Sequence, residues 1–245
     1  MLVAVVGGGV SGNAIARAIS AQGVEVQLLS RSTGFDVLGD DASARLATAD
    51  VIVEATGQFT TSRKRATDFF VRSTTAVAAA ARAANARHIL LSIVNCELPE
   101  VQGYGYFAGK TAQERVAREK SDRLSIVRST QWFEFPGQNL DRMKFGPFAL
   151  VPGMKIKPVA LTAVADVIAE CVTGARTGAL VEVAGPEVTT LWDMTSQLPH
   201  KSAKPLPLRI PGAMGRAFRD GVLVPPDETE VTGPAFAEWL ATAAR

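Results

Sequence analysis

Cysteine and histidine are scarce in this 245-residue chain, which holds only Cys96 and Cys171, His88 and His200. Two distant cysteines make no disulfide framework, and four such residues without ligand spacing make no zinc site. No metal is expected. No apolar run approaches the ~18 residues that cross a bilayer, and Met1 leads straight into a strand-like pentad without a charged leader. The expectation is a cytoplasmic protein without membrane contact. An excess of either charge is lacking too: 26 Lys and Arg face 24 Asp and Glu, a net charge of +2, and no basic stripe dominates any segment. Nucleic acid is therefore not an expected partner. Internal repeats and low-complexity tracts are also lacking.

What is present is an alternation of strands and helices. Leu2 to Val6 is a continuous apolar run, Gly7-Gly8-Gly9-Val10-Ser11-Gly12 follows at once, and Ala14, Ile15, Ala18 and Ile19 then recur at helical spacing. A second strand over residues 24–29 completes a βαβ unit, whose right-handed crossover makes the strands parallel. The pattern continues with a short element at 35–38, a helix near 41–49, a buried strand at 51–53 and a long Ala-rich helix over 63–84, stopped near Asn85. A strand at 88–93, a helix over 106–120 and a strand at 124–127 come next. This predicts a Rossmann-type α/β fold with a doubly wound parallel sheet.

After Phe135 the texture changes, because Pro136-Gly137, Gly146-Pro147, Pro152-Gly153 and Pro158 cut the chain into short pieces. Residues 1–135 are expected to form the dinucleotide-binding core. Residues 136–245 are expected to form a small C-terminal substrate lobe packed on it, all in one structural unit. Within the lobe the pattern predicts a helix at 161–172, a strand at 180–183, an extended proline-rich stretch at 199–211 and a last helix at 234–244.

The glycine turn carries the first chemical signal. In Gly7-x-Gly9-x-x-Gly12 between a strand and a helix, glycines allow a tight turn, close approach of backbone N–H groups to a pyrophosphate, and tight helix–strand packing. Val10 and Ser11 place the helix N-terminus, with its partial positive charge, at that phosphate. Where NAD sites carry Asp or Glu after the second strand, this chain reads Ser30-Arg31-Ser32. An Arg fork and two hydroxyls suit a 2′-phosphate, which predicts NADP rather than NAD; the bland alternative is a solvated loop cation. Thr56 and Gly57 follow the third strand and are expected on the ribose or adenine side.

Tyr106 and Lys110 stand four apart on a predicted helix, so both project from one face. An ammonium beside a phenol lowers the phenol pKa and makes Tyr106 a usable proton donor or acceptor. Ser92, at the carboxyl end of the preceding strand, is placed to polarise a carbonyl. Arg63-Lys64-Arg65 opens a helix either beside a phosphate or simply in solvent. Trp132, Phe133 and Phe135 make either an apolar wall for a substrate or cement between lobe and sheet.

Read together, these strings resemble the atypical short-chain dehydrogenases/reductases of the NmrA-like, NAD(P)H-binding branch. The resemblance runs through the glycine turn, Leu29-Ser30-Arg31-Ser32-Thr33-Gly34, Leu91-Ser92-Ile93-Val94, Gly105-Tyr106-Phe107-Ala108-Gly109-Lys110, Ile126-Val127-Arg128-Ser129-Thr130-Gln131-Trp132 and Lys157-Pro158-Val159. It implies hydride transfer between NADP(H) and a small hydrophobic carbonyl or quinone-like substrate. Ser92, Tyr106 and Lys110 take the catalytic places, and Lys110 also touches the nicotinamide ribose. The catalytic Asn of the main short-chain group has no counterpart on the long helix. Two alternatives stand beside the reductase: a non-catalytic NADP(H)-sensing regulator, and an epimerase or dehydratase.

Overall fold

The computed structural model describes residues 1–243. Its first half reads β1 (Leu2–Val6), α1 (Val10–Ala21), β2 (Glu25–Leu29), α2 (Ala42–Arg45), β3 (Val51–Glu54), α3 (Arg63–Ala83), β4 (Arg87–Ile93), α4 (Gly105–Lys120) and β5 (Leu124–Ser129). The second half reads α5 (Phe135–Arg142), β6 (Lys144–Phe145), β7 (Phe148–Pro152), β8 (Lys155–Ile156), α6 (Leu161–Thr173), β9 (Leu180–Ala184), β10 (Thr189–Thr190), α7 (Leu191–Gln197), β11 (Lys204–Leu208), α8 (Gly212–Asp220), β12 (Glu230–Val231) and α9 (Phe236–Ala243).

Seven strands pair in the order β12-β9-β5-β4-β3-β1-β2, and every pairing is parallel. The central strands are apolar on both faces, as a sheet covered by helices on each side requires: all four residues of β3 are buried, as is β1 from Val3 onward. Helices α3 and α4 pack together on one face, and α1 and α6 pack together on the other. The chain turns from β1 to β2 on one side and to β3 on the other. That reversal opens a crevice at the carboxyl ends of β1 and β3, where ligands bind in such sheets.

Helix α3 ends as its sequence predicts. Asn85 adopts φ +52°, its N–H donates to Arg82 O, and the N–H of Ala86 donates to Ala81 O, the paired bonds of a Schellman stop.

Three expectations need correction. Residues 35–38 form no strand or helix; after a 3₁₀ turn at Arg31–Thr33 they cross the mouth of the crevice. The expected boundary at 135/136 does not separate sheet from lobe, because β9, β12 and α6 all return to the core. Val181 and Val183 are buried between the layers, and proline and glycine punctuation cannot reveal which short pieces pair with the sheet. The lobe proper is built on the small sheet β11-β7-β6 and the β10-β8 pair. The stretch at 199–211 contains β11, which pairs in parallel with β7. Finally, Pro136-Gly137 opens helix α5 rather than breaking the chain, since proline suits a first helical turn. The last helix covers most of the predicted 234–244, of which Ala244 lies outside the described residues.

Candidate active site

The glycine loop is held by the groups its side-chain-free backbone must meet. Gly7 has φ +118°, and a Cβ there would lie 2.5 Å from Ala55 O. A Cβ on Gly12 would lie 1.6 Å from Gly7 O, so helix and turn touch backbone to backbone. Gly9 differs: a Cβ there meets nothing within 4 Å, because its free side faces the crevice. Gly9 is the N-cap of α1, with no side-chain cap and no acidic residue in the first turn. The first amide N–H groups of the helix are thus left for an anion. Asn13, which sequence reasoning passed over, donates through Nδ2 to Gly8 O at 2.8 Å and Gly9 O at 2.9 Å and pins the loop.

A cavity of about 950 Å³ begins at this turn and runs along the carboxyl ends of the strands. Of the residues expected at a nucleotide, Gly7, Gly9, Val10, Ser11, Ser30, Arg31, Ser32, Thr56 and Gly57 line it; Gly12 does not and instead packs against Gly7. Ser30 and Ser32 share a hydrogen bond of 2.8 Å, and Ser30 packs against Gly8. The Arg31 side chain is exposed and makes no ion pair among the described residues. A carboxylate absent from the Ser30-Arg31-Ser32 string nevertheless reaches the wall. It belongs to Asp36, whose Oδ1 accepts from the Leu38 N–H at 3.0 Å. No sequence pattern marked it, because the chain between β2 and β3 is irregular.

Ser92, Tyr106 and Lys110 all line the same cavity, yet no hydrogen bond joins them among the described residues. Ser92 Oγ lies 3.9 Å from Cys96 Sγ, on the side of the buried Glu114–Arg128 pair. Tyr106 is half-buried against Phe70 and Phe59, with its hydroxyl beside Gly57. Burial raises its pKa above the ordinary phenol value, while Arg142 pulls it down in part. This overturns the expected lowering by Lys110. The lysine points instead into the layer between α3 and α4, 3% exposed, where Nζ donates to Leu91 O at 2.7 Å and to Gln113 Oε1. Burial pushes its pKa down to about 8, against the pull of Glu54.

Glu54 anchors the floor beneath this site. It is fully buried, and its Oε1 accepts from Thr74 at 2.7 Å, Thr56 at 2.9 Å and Gln113 at 2.9 Å. Its Oε2 lies 3.2 Å from His88 Nε2, and His88 Nδ1 lies 2.8 Å from Ser121 Oγ. Burial alone would raise the Glu54 pKa; the bonds from His88 and the threonines outweigh it and leave the carboxyl below its usual value. Thr56 thus spends its proton on Glu54 and offers a ligand only acceptor capacity. These links escaped sequence reasoning because the partners are 20, 34 and 59 residues from Glu54.

The far end of the cavity is aromatic. Trp132 and Phe135 line it, whereas Phe133 is buried and packs on Phe236 and Trp239. Phe133 thus cements the later part of the chain onto the core, while Trp132 and Phe135 face the cavity. Arg63, Lys64 and Arg65 are exposed and away from the cavity, a solvated helix end.

No protein-family model matches the chain, and no curated protein matches it in sequence. Solved structures do match. A dTDP-4-dehydrorhamnose reductase from Clostridium acetobutylicum has TM-score 0.72 at 14% identity, over 100% of this chain and 99% of that one. An NADPH-dependent quinone oxidoreductase from Escherichia coli, complexed with NADPH, has TM-score 0.68 at 14% identity, over 99% and 100%. A short-chain dehydrogenase/reductase superfamily protein from Agrobacterium tumefaciens, with bound NAD, has TM-score 0.69 at 15% identity, over 100% and 97%. At such identities the likeness is one of architecture: this chain has the Rossmann-type α/β fold of these structures.

Proposed function

We propose that this chain is an NADP(H)-dependent oxidoreductase of the NmrA-like branch that reduces a small, hydrophobic carbonyl or quinone-like substrate. The observation that carries the reading is the continuity of one cavity from the glycine turn and Arg31 to Tyr106, Lys110 and an aromatic end. A dinucleotide is long and anionic at its middle, and this crevice offers a helix N-terminus at one point and a phenol and ammonium further along. Gly9, open toward the crevice, leaves the space a pyrophosphate needs. Two structurally similar proteins were crystallised with NADPH or NAD. Preference for NADP rests on Arg31, whose exposed guanidinium has no ion-pair partner among the described residues.

When bound, the reduced nicotinamide supplies the hydride. Tyr106, kept protonated by burial, donates its proton as charge develops on the acceptor oxygen. Lys110 would hold the ribose side of the cofactor with the N–H not spent on Leu91 and Gln113. Ser92 would have to turn its hydroxyl from Cys96 to the carbonyl. That last point favours the second reading, a non-catalytic NADP(H) sensor, in which the three residues need never assemble. NADPH oxidation across a panel of carbonyls and quinones, repeated with Tyr106→Phe, separates the two. Turnover that the variant loses supports the reductase; NADPH binding without turnover supports the sensor.

A further inference from the structure

The cavity wall carries one carboxylate, Asp36, and three cations, Arg31, Lys110 and Arg142. Arg31 and Asp36 sit at the second-strand end, and Lys110 is bonded to Leu91 and Gln113. Arg142 alone stands at the aromatic end, and neither the glycine turn nor the Tyr106–Lys110 spacing accounts for it. It is the third of three α5 residues, Phe135, Gln138 and Arg142, that line the cavity at spacings of three and four, one face of the helix. Its guanidinium lies 4.6 Å from the centre of the Phe59 ring, and that ring lies 6.4 Å from Tyr106. Its charge is felt at the hydroxyls of both Tyr104 and Tyr106. Among the described residues it has no ion-pair or hydrogen-bond partner.

The exposed guanidinium of Arg142 spends no N–H on its contact with the Phe59 ring, so its planar fork of donors stays available. Such a fork matches a carboxylate bidentately. We infer that Arg142 selects the substrate: a planar apolar carbonyl or quinone compound carrying one carboxylate, held by Arg142 with its body among Phe59, Trp132 and Phe135. The inference rests on the proposed reductase for which end of the cavity takes the acceptor. A diphosphate-linked sugar fits less well, because two phosphate charges would meet a single guanidinium among aromatic walls.

Calorimetry with 2-naphthoate and 2-naphthamide, with and without saturating NADPH, tests binding; turnover of 4-carboxybenzaldehyde against benzaldehyde tests selection. Arg142→Met keeps an unbranched apolar side chain and removes the charge, and its melting temperature reports whether it folds; Arg142→Gln serves if it does not. The acid should bind, and its aldehyde react, about 10-fold or more better than the neutral partner, and the preference should vanish in the variant. Equal binding of acid and amide, or a preference surviving Arg142→Met, overturns the inference, as does tighter binding of inorganic pyrophosphate than of naphthoate at this site. Arg142-dependent naphthoate binding without turnover of any aldehyde or quinone upholds the carboxylate site at Arg142 and removes the reductase.

Discussion

The ammonium of Lys110 lies 5.0 Å over the centre of the Phe70 ring, and that same ring meets Tyr106 edge-on at 5.7 Å between centroids. Phe70 on α3 thus contacts both members of the expected pair and supplies the apolar surroundings that keep Tyr106 a phenol. A protonated phenol is the form that the proposed proton donor needs at neutral pH. Tyr106→Phe removes only the hydroxyl. It should leave NADPH affinity nearly unchanged and lower turnover of an active carbonyl roughly 100-fold or more. Steady-state kinetics with calorimetry checks both; an equally active variant removes Tyr106 from the chemistry.

Lys110 gives a pH signature. With its pKa lowered to about 8, the lysine is charged at pH 7 and loses its proton as pH rises through that value. NADPH affinity should therefore fall across that window, with a midpoint above 8 in the complex because the anionic ligand favours the ammonium. Lys110→Met should bind more weakly at pH 7 and lack the step. Titrations between pH 6.5 and 9.5 decide it, and a step persisting in the variant assigns it elsewhere.

For Arg31, the expectation is tighter binding of NADPH than of NADH by about 1.5–3 kcal/mol, the range for a hydrogen bond to a charged group. Arg31→Ala should abolish the difference. Equal affinities in the parent protein would remove Arg31 from the 2′ position, and tighter binding of NADH would assign that position to Asp36 and a free ribose hydroxyl.

The glycines should behave differently from one another. Gly12→Ala drives a Cβ into Gly7 O and should lower the melting temperature along with cofactor binding. Gly9→Val meets open space and should fold normally while losing the dinucleotide. Normal NADPH affinity in a folded Gly9→Val protein would place the phosphates elsewhere.

Glu54→Ala leaves the Thr56, Thr74 and Gln113 donors and His88 without their acceptor in a buried site. A loss of about 3–5 kcal/mol in urea unfolding at pH 7 is expected, as for leaving several buried donors without their acceptor. Because the folded carboxyl titrates below its usual value near 4.5, its contribution is complete above that pH and disappears as pH falls through the folded pKa. The gap between parent and variant should narrow in acid; a constant gap would trace the loss to packing alone.

Local physics made much of this protein legible in its sequence. The apolar run Leu2 to Val6 before Gly7, Gly9 and Gly12 specifies strand, turn and helix, because backbone sterics and side-chain period act within a few residues. The same holds for Asn85 at the end of α3 and for the alternation that makes a parallel sheet. Tertiary structure decided what faces what. Tyr106 and Lys110 share a helix, but Phe70, Leu91 and Gln113 determine where the lysine points. Arg142 and Asp36 belong to the cavity only because an unpredicted helix and an irregular crossing bring them there. Burial, which sets the pKa of Tyr106 and Lys110 and the pairing of Glu54 with His88, depends on elements tens of residues apart and has no short-range sequence signal.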